Sequence, residues 1–257
     1  MLRRISPGVF VTVCVKVCVT VCAMVNVALT AGCASTVPPA AASLDPFFHD
    51  ASFEPPSEPV DASDLFAVSP EMIRFLRVEL APMLRSEGRQ RGLYEALQSR
   101  DHLRLDYDAE QTRNAAQAFH DRSGNCLSLL ILSAALGREL GLQIMFQQVL
   151  DEENWGLAGD LVVVSGHVNL VLGQRNSMAW GDDSQSLTVD FLPTEELRGQ
   201  RTQSITESTV LAMYFNNRAG ENLAEGRLSE SYAWAREAVR QDPDFQAVMG
   251  EQPVFHG

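Results

Sequence analysis

The chain has 257 residues, 46% of them hydrophobic, and a formal net charge of −13, so it can bury the core of one large domain or two small ones. So acidic a chain argues against nucleic acid or an anionic membrane surface as a partner held by charge. Of five cysteines, Cys14, Cys18, Cys22 and Cys33 crowd the N-terminal end and Cys126 stands alone, which leaves no pair for a disulfide inside the body.

Met1-Leu2-Arg3-Arg4 is a basic start, and residues 17–29 form an apolar run shorter than a membrane span. Small residues Thr30-Ala31-Gly32 then precede Cys33, the layout of a secretory signal. Cys14, Cys18 and Cys22 share i, i+4 spacing but belong to the segment expected to be removed, so they are not read as a metal site. Loss of Arg3, Arg4 and Lys16 with the leader takes the net charge to −16, 17 basic residues against 33 acidic. The ending Leu29-Thr30-Ala31-Gly32-Cys33 resembles the bacterial lipoprotein box. That resemblance implies a lipidated Cys33 as mature N-terminus, held by several acyl chains and therefore stably anchored. Ala34 in place of Asp after the cysteine then implies the outer membrane of a Gram-negative cell envelope, facing the periplasm.

Residues 34–61 hold six of the twelve prolines and read as an extended tether, in which Phe47, Phe48 and Phe53 are expected to pack on the body as a strap. A helix is predicted after the cap at Ser69-Pro70-Glu71, with Met72, Phe75, Leu76 and Leu80 at helical spacing. Residues 85–91 read as a polar break, and 94–97 resume a helix that ends near Arg100. Residues 109–119 are a candidate helix. The next begins at Cys126 and runs to about Leu140, apolar at Leu127, Leu130, Ile131, Ala134, Ala135 and Leu136, with Gly141 closing it. Strands are predicted at 143–150, at 161–164 with 167–172 as one long or two short ones, and at 186–191. Residues 151–160 read as a loop and 175–185 as a polar hairpin connection. From Thr209 the pattern is helical to the end, apart from a turn near Gly226. A helix packing back on antiparallel strands makes the fold class α+β.

Arg122-Ser123-Gly124-Asn125-Cys126 is the stretch with chemical promise. A thiol in the first turn of a helix lies among unpaired N–H groups at the positive end of the dipole, which favours the nucleophilic thiolate. His167 sits in Ser165-Gly166-His167-Val168-Asn169, where alternation puts His167 and Asn169 on one face and Val168 and Leu170 on the other. Asp190, in Thr188-Val189-Asp190-Phe191, is a carboxylate in an apolar strand and must be paired or hydrogen-bonded there. A thiolate, an imidazole that moves the proton and a carboxylate that orients the imidazole suit acyl transfer. The Cys126 N–H is placed to serve an oxyanion, and Asn125, Gln147 and Asn169 are candidates for a second donor or for supporting the triad. No second cysteine or close histidine pair accompanies Cys126, so no metal and no cofactor are expected.

The helix opening Gly124-Asn125-Cys126-Leu127-Ser128-Leu129, with Arg138-Glu139-Leu140-Gly141-Leu142, His167-Val168-Asn169 and Thr188-Val189-Asp190-Phe191, resembles the transglutaminase-like superfamily of papain-like cysteine domains. The resemblance covers roughly residues 60–200 and implies a cysteine helix packed on an antiparallel sheet. It implies Cys126 as nucleophile, His167 as base and acid, and Asp190 as the orienting carboxylate. Amide or peptide hydrolysis, acyl transfer to amines and inactive binding all occur in that superfamily, so the resemblance leaves the reaction open.

Phe215, Ala219, Leu223, Gly226, Tyr232, Ala235, Ala238 and Pro243 follow a helix–turn–helix pattern similar to one tetratricopeptide repeat, an α-helical hairpin with a possible protein partner. The expected organisation is a signal and lipidated cysteine at 1–33, a tether at 34–61, the transglutaminase-like domain at 62–205 and the helical segment at 206–257. Two functions fit it. One is an anchored envelope enzyme acting on a peptide or protein. The other is a non-catalytic envelope adaptor that binds a protein partner through its groove and terminal helices.

Overall fold

The computed structural model describes residues 48–99, 102–158, 161–173, 186–191 and 201–244, with side chains described outside 151–166. All lie in the unit Phe47–Gly257. The leader, Cys33, the tether through Phe47, the connection 175–185 and the terminal stretch 246–257 lie outside the described residues.

The fold is α+β. Ser69 caps helix α1 (Pro70–Arg74) by accepting from the Met72 amide at 3.3 Å, and the helix widens into a π turn over Phe75–Glu79. Helix α2 (Ala81–Glu87) and helix α3 (Arg89–Gln98) follow, so the predicted break at 85–91 shrinks to Gly88, whose φ of 85° suits glycine. Arg85, Ser86, Glu87, Arg89 and Arg91 face solvent, whereas Gln90 is buried and donates to the Leu172 carbonyl at 2.7 Å; Leu84 packs against Gly92, where an added Cβ would lie 3.3 Å from the Leu84 Cα. Strand β1 (Asp106–Tyr107) pairs in parallel with β2 (Ser123–Gly124). Between them, α4 spans Ala115–Asp121, not 109–119. Asn114 stops it from starting earlier: extended itself, it accepts the Gln117 amide at 2.9 Å while Gln117 accepts the Asn114 amide at 3.0 Å.

Helix α5 (Cys126–Glu139) is buried on nearly every side. It ends in a two-bond glycine motif: Gly141, at φ 70°, donates to the Arg138 carbonyl at 2.8 Å and Leu142 to that of Gly137 at 2.9 Å. Gly137 lets the helix approach the sheet, since a Cβ there would fall 2.7 Å from Ile144 Cδ1 and 3.4 Å from Leu172 Cδ2.

The sheet has four antiparallel strands in the order β5-β4-β3-β6: β3 (Gln143–Ala158), β4 (Leu161–Gly173), β5 (Leu187–Val189) and β6 (Thr202–Ile205). The segment 151–160, expected as a loop, is strand as far as Ala158, pairing from Glu153↔Gly166 to Ala158↔Leu161. The acidic run Asp151-Glu152-Glu153 breaks the apolar alternation, but the ladder bonds are made by backbone and do not need it. A bulge between Val149 and Glu153 sits opposite His167 and takes up the mismatch. Strand β6 was not legible as a strand: a polar Thr-Gln-Ser on the sheet edge, it pairs Phe146↔Ile205 through Val149↔Thr202.

One core joins Leu80, Leu93 and Leu103 to Leu130, Ile131 and Leu136 of α5 and to Phe146, Leu170, Leu172 and Val189 of the sheet. Helices α6 (Glu207–Ala224) and α7 (Leu228–Gln241) form the C-terminal hairpin, turning at Gly226 with φ 75°. Val210, Met213 and Phe215 of α6 belong to the same core, and Trp234 of α7 lies 5.6 Å from the Phe215 ring.

Candidate active site

Cys126 is the first residue of α5. Asn125 is its N-cap, extended at ψ 175°, and its Oδ1 accepts from the Ser128 amide at 2.9 Å and from Ser128 Oγ at 2.8 Å. The amides of Cys126 and Leu127 have no intrahelical acceptor and lie beside the thiol at the positive end of the helix. The thiol is half-buried, and it is the free cysteine among the described residues.

The helix start is held from outside as well. Asn125 Nδ2 donates to Thr112 Oγ1 at 2.8 Å, Arg113 donates its amide to Ser128 Oγ at 2.8 Å, and the Thr112 amide donates to Glu221 of α6 at 2.7 Å. Asn217 of the same helix reaches Thr112 Oγ1 at 3.2 Å. The stretch 109–113 is therefore a clamp between the cysteine turn and the C-terminal hairpin. Gly124 makes room for it, because a Cβ there would lie 2.6 Å from Ser128 Cβ. Asn125, with Oδ1 on Ser128 and one Nδ2 donor on Thr112, fixes the turn that carries Cys126.

His167 and Asp190 are 4% and 5% exposed. The ladder pair Leu170↔Val189 puts Asp190 one step beyond the end of β5, across from Asn169 and on the face that His167 shares. His167 Nε2 lies between the carboxylate oxygens, 2.8 Å from Oδ1 and 2.9 Å from Oδ2, and Asn169 Nδ2 donates to Oδ2 at 3.1 Å. Gln98 of α3 adds a bond to the Asp190 carbonyl at 2.9 Å. With Nε2 on the carboxylate, Nδ1 is the ring nitrogen left over, and Cys126 lies near enough to add to the imidazole's pKa. Burial pulls the imidazole pKa down, but the Asp190 and Cys126 hydrogen bonds and charges outweigh it and lift it from 6.5 to about 9. At neutral pH the ring is then an imidazolium held on the Asp190 carboxylate.

His167, Asp190 and Asn169 thus form one hydrogen-bonded chain, with Asn169 steadying the carboxylate and Cys126 near the imidazole. Asn169 Oδ1 is buried and makes no hydrogen bond among the described residues. Gln147 stands opposite Asn169 and Ser204 in the ladder, half-buried, with no hydrogen bond to the triad among the described residues. Sequence reasoning missed Thr112, Gln98 and Tyr107. Tyr107 pairs with Gly124, two residues before the cysteine, and is 58% exposed. Burial of its hydroxyl, with the Cys126 charge nearby, raises its pKa above the usual phenol value. Its only sequence signal was a lone aromatic in the polar stretch Asp106–Glu110. Among the described residues no group of three or more His, Cys, Asp or Glu could hold a metal ion.

Comparison with protein-family models, with curated proteins and with solved structures returned no match.

Proposed function

We propose that this protein is a cysteine-dependent acyl-transfer enzyme of papain-like, transglutaminase-like architecture, anchored in the cell envelope of a Gram-negative bacterium through lipid on Cys33. The observation that carries the reading is a buried imidazole 2.8 Å from a buried carboxylate, with the helix-start Cys126 near enough to raise the imidazole's pKa. The Cys126 thiolate attacks an acyl carbonyl carbon and forms the C–S bond, and the Cys126 N–H donates to the oxyanion. The His167 imidazolium gives its proton to the departing amine as the C–N bond breaks. The neutral imidazole then takes a proton from water or from an acceptor amine, which attacks the thioester and releases Cys126. Tyr107 offers a flat exposed wall beside the thiol for the acyl group. The substrate class is a peptide or protein amide of the envelope.

Trapping on an activated ester tests the reading. Intact mass should show one acyl group on Cys126, absent in Cys126→Ala, with turnover accelerated by water or by an added primary amine. A wild-type chain that never acylates is a binding protein and not an enzyme. Anchoring stands apart from this: metabolic palmitate label should depend on Cys33, and label that survives Cys33→Ser removes the anchor.

A further inference from the structure

Residues 48–57 run along α7 and are held there by contacts of a kind used to read peptides. Three backbone amides of the segment are satisfied by α7 side chains: His49 by Tyr232 Oη at 2.8 Å, Glu54 by Ser229 Oγ at 3.2 Å and Ser57 by Glu230 Oε1 at 2.7 Å. Three side chains of the segment are recognised too. Phe53 stacks on Tyr232 with ring centroids 4.0 Å apart and planes 7° from parallel. Asp50 accepts from Tyr232 Oη at 2.7 Å and pairs with Arg236 at 2.8 Å. Phe48 lies under the guanidinium groups of Arg236 and Arg240, 5.3 and 5.6 Å from its ring centre. Ser229, Tyr232, Arg236 and Arg240 fall on one stripe of α7 at three- and four-residue steps. Backbone contacts give such a surface its grip, and alternate side-chain contacts give it selectivity.

The segment is not part of the core. No residue from Phe48 to Asp61 is buried, and neither Phe48 nor Phe53 belongs to the core cluster; the first buried residue is Ala62. A surface-held stretch of this kind opens locally at little cost. Its junction to the body at Val60 and Ala62 keeps it near α7 at an effective concentration on the order of millimolar.

We propose that the stripe Ser229–Arg240 of α7 is a docking site for a peptide with a single 3-10 turn, bearing an aromatic, an acid two residues on and a second aromatic three further. Residues 48–57 occupy the site in cis and are displaced by a partner segment of that chemistry. The site is separate from the triad and stands whether or not Cys126 turns over substrate.

The test uses the full chain carrying Phe48→Ala, Asp50→Ala and Phe53→Ala, which loosens the segment and leaves α7 intact. A labelled synthetic peptide of residues 47–58 should bind this variant at least about tenfold more tightly than the wild type, by fluorescence anisotropy. Adding Tyr232→Ala and Arg236→Ala should abolish binding. No binding to the loosened variant, or binding that survives the α7 substitutions, overturns the proposal. Hydrogen exchange on the wild type gives an independent check: the amides of His49, Glu54 and Ser57 should exchange far faster than those in the middle of α6. Equal protection would show the segment to be a fixed part of the fold and would overturn it equally.

Discussion

Asp190→Asn is the sharpest perturbation of the site because it keeps the shape of the side chain and removes its charge. The carboxylate, 5% exposed, accepts from His167 at 2.8 and 2.9 Å and from Asn169 at 3.1 Å. An amide there turns an NH2 toward one of two donors and cannot satisfy both. Hydrogen bonds to charged groups contribute about 1.5–3 kcal/mol each, so losing the His167 contact lowers the acylation rate roughly 10- to 150-fold. Asp190 is also the leading cause that raises the His167 pKa to about 9 against the pull of burial. Without it burial is opposed by Cys126 alone, so the imidazole pKa should fall well below 9 and the imidazolium fraction at neutral pH with it. Histidine NMR titration reads the pKa directly, and the acylation rate of Cys126 reads the chemical consequence. If Asp190→Asn leaves His167 titrating near 9 and the rate within twofold, the carboxylate does not set the state of the imidazole and the reasoning fails.

Three further outcomes are expected. Because the folded-state pKa of His167 lies above its unfolded value, its contribution to stability is complete below pH 6.5 and is lost as pH rises through about 9. That contribution is about 3 kcal/mol, so the urea midpoint should fall across this window in the wild type and not in His167→Ala. Thr112→Val strands the Nδ2 groups of Asn125 and Asn217 and should cost about 1–3 kcal/mol in chemical denaturation; no change would show that the clamp contributes nothing. Gly124→Ala places a Cβ 2.6 Å from Ser128 Cβ, a carbon fixed to the helix, and should destabilise by about 1–3 kcal/mol; a neutral result would mean that the turn yields freely.

The parts of the fold that were legible are those written in local chemistry. The start of α5 could be placed because Ser-Gly-Asn is turn-forming and the apolar run after it has helical period, and its end because Gly141 is suited to a positive φ. Asp190 could be singled out because a carboxylate between Val189 and Phe191 needs a partner. What stayed hidden depends on residues far apart in sequence. Thr112 meets Asn125 and Glu221, Gln98 meets the Asp190 carbonyl, and Tyr232 meets Asp50 across 182 positions. Strand β3 beyond Val149 was hidden for another reason: its side chains carry no alternation, and pairing with β4 is a backbone matter. The stretch 109–113 looked helical by composition, but Asn114 caps α4 by accepting the Gln117 amide, which leaves Thr112 and Arg113 to clamp the cysteine turn.

The central claim is that His167 holds Cys126 ready as a nucleophile. The rate of Cys126 alkylation by iodoacetamide at neutral pH, in the wild type and in His167→Ala, tests it most directly. The expected wild-type rate is at least about tenfold above that of His167→Ala. Equal rates in the two proteins would contradict it.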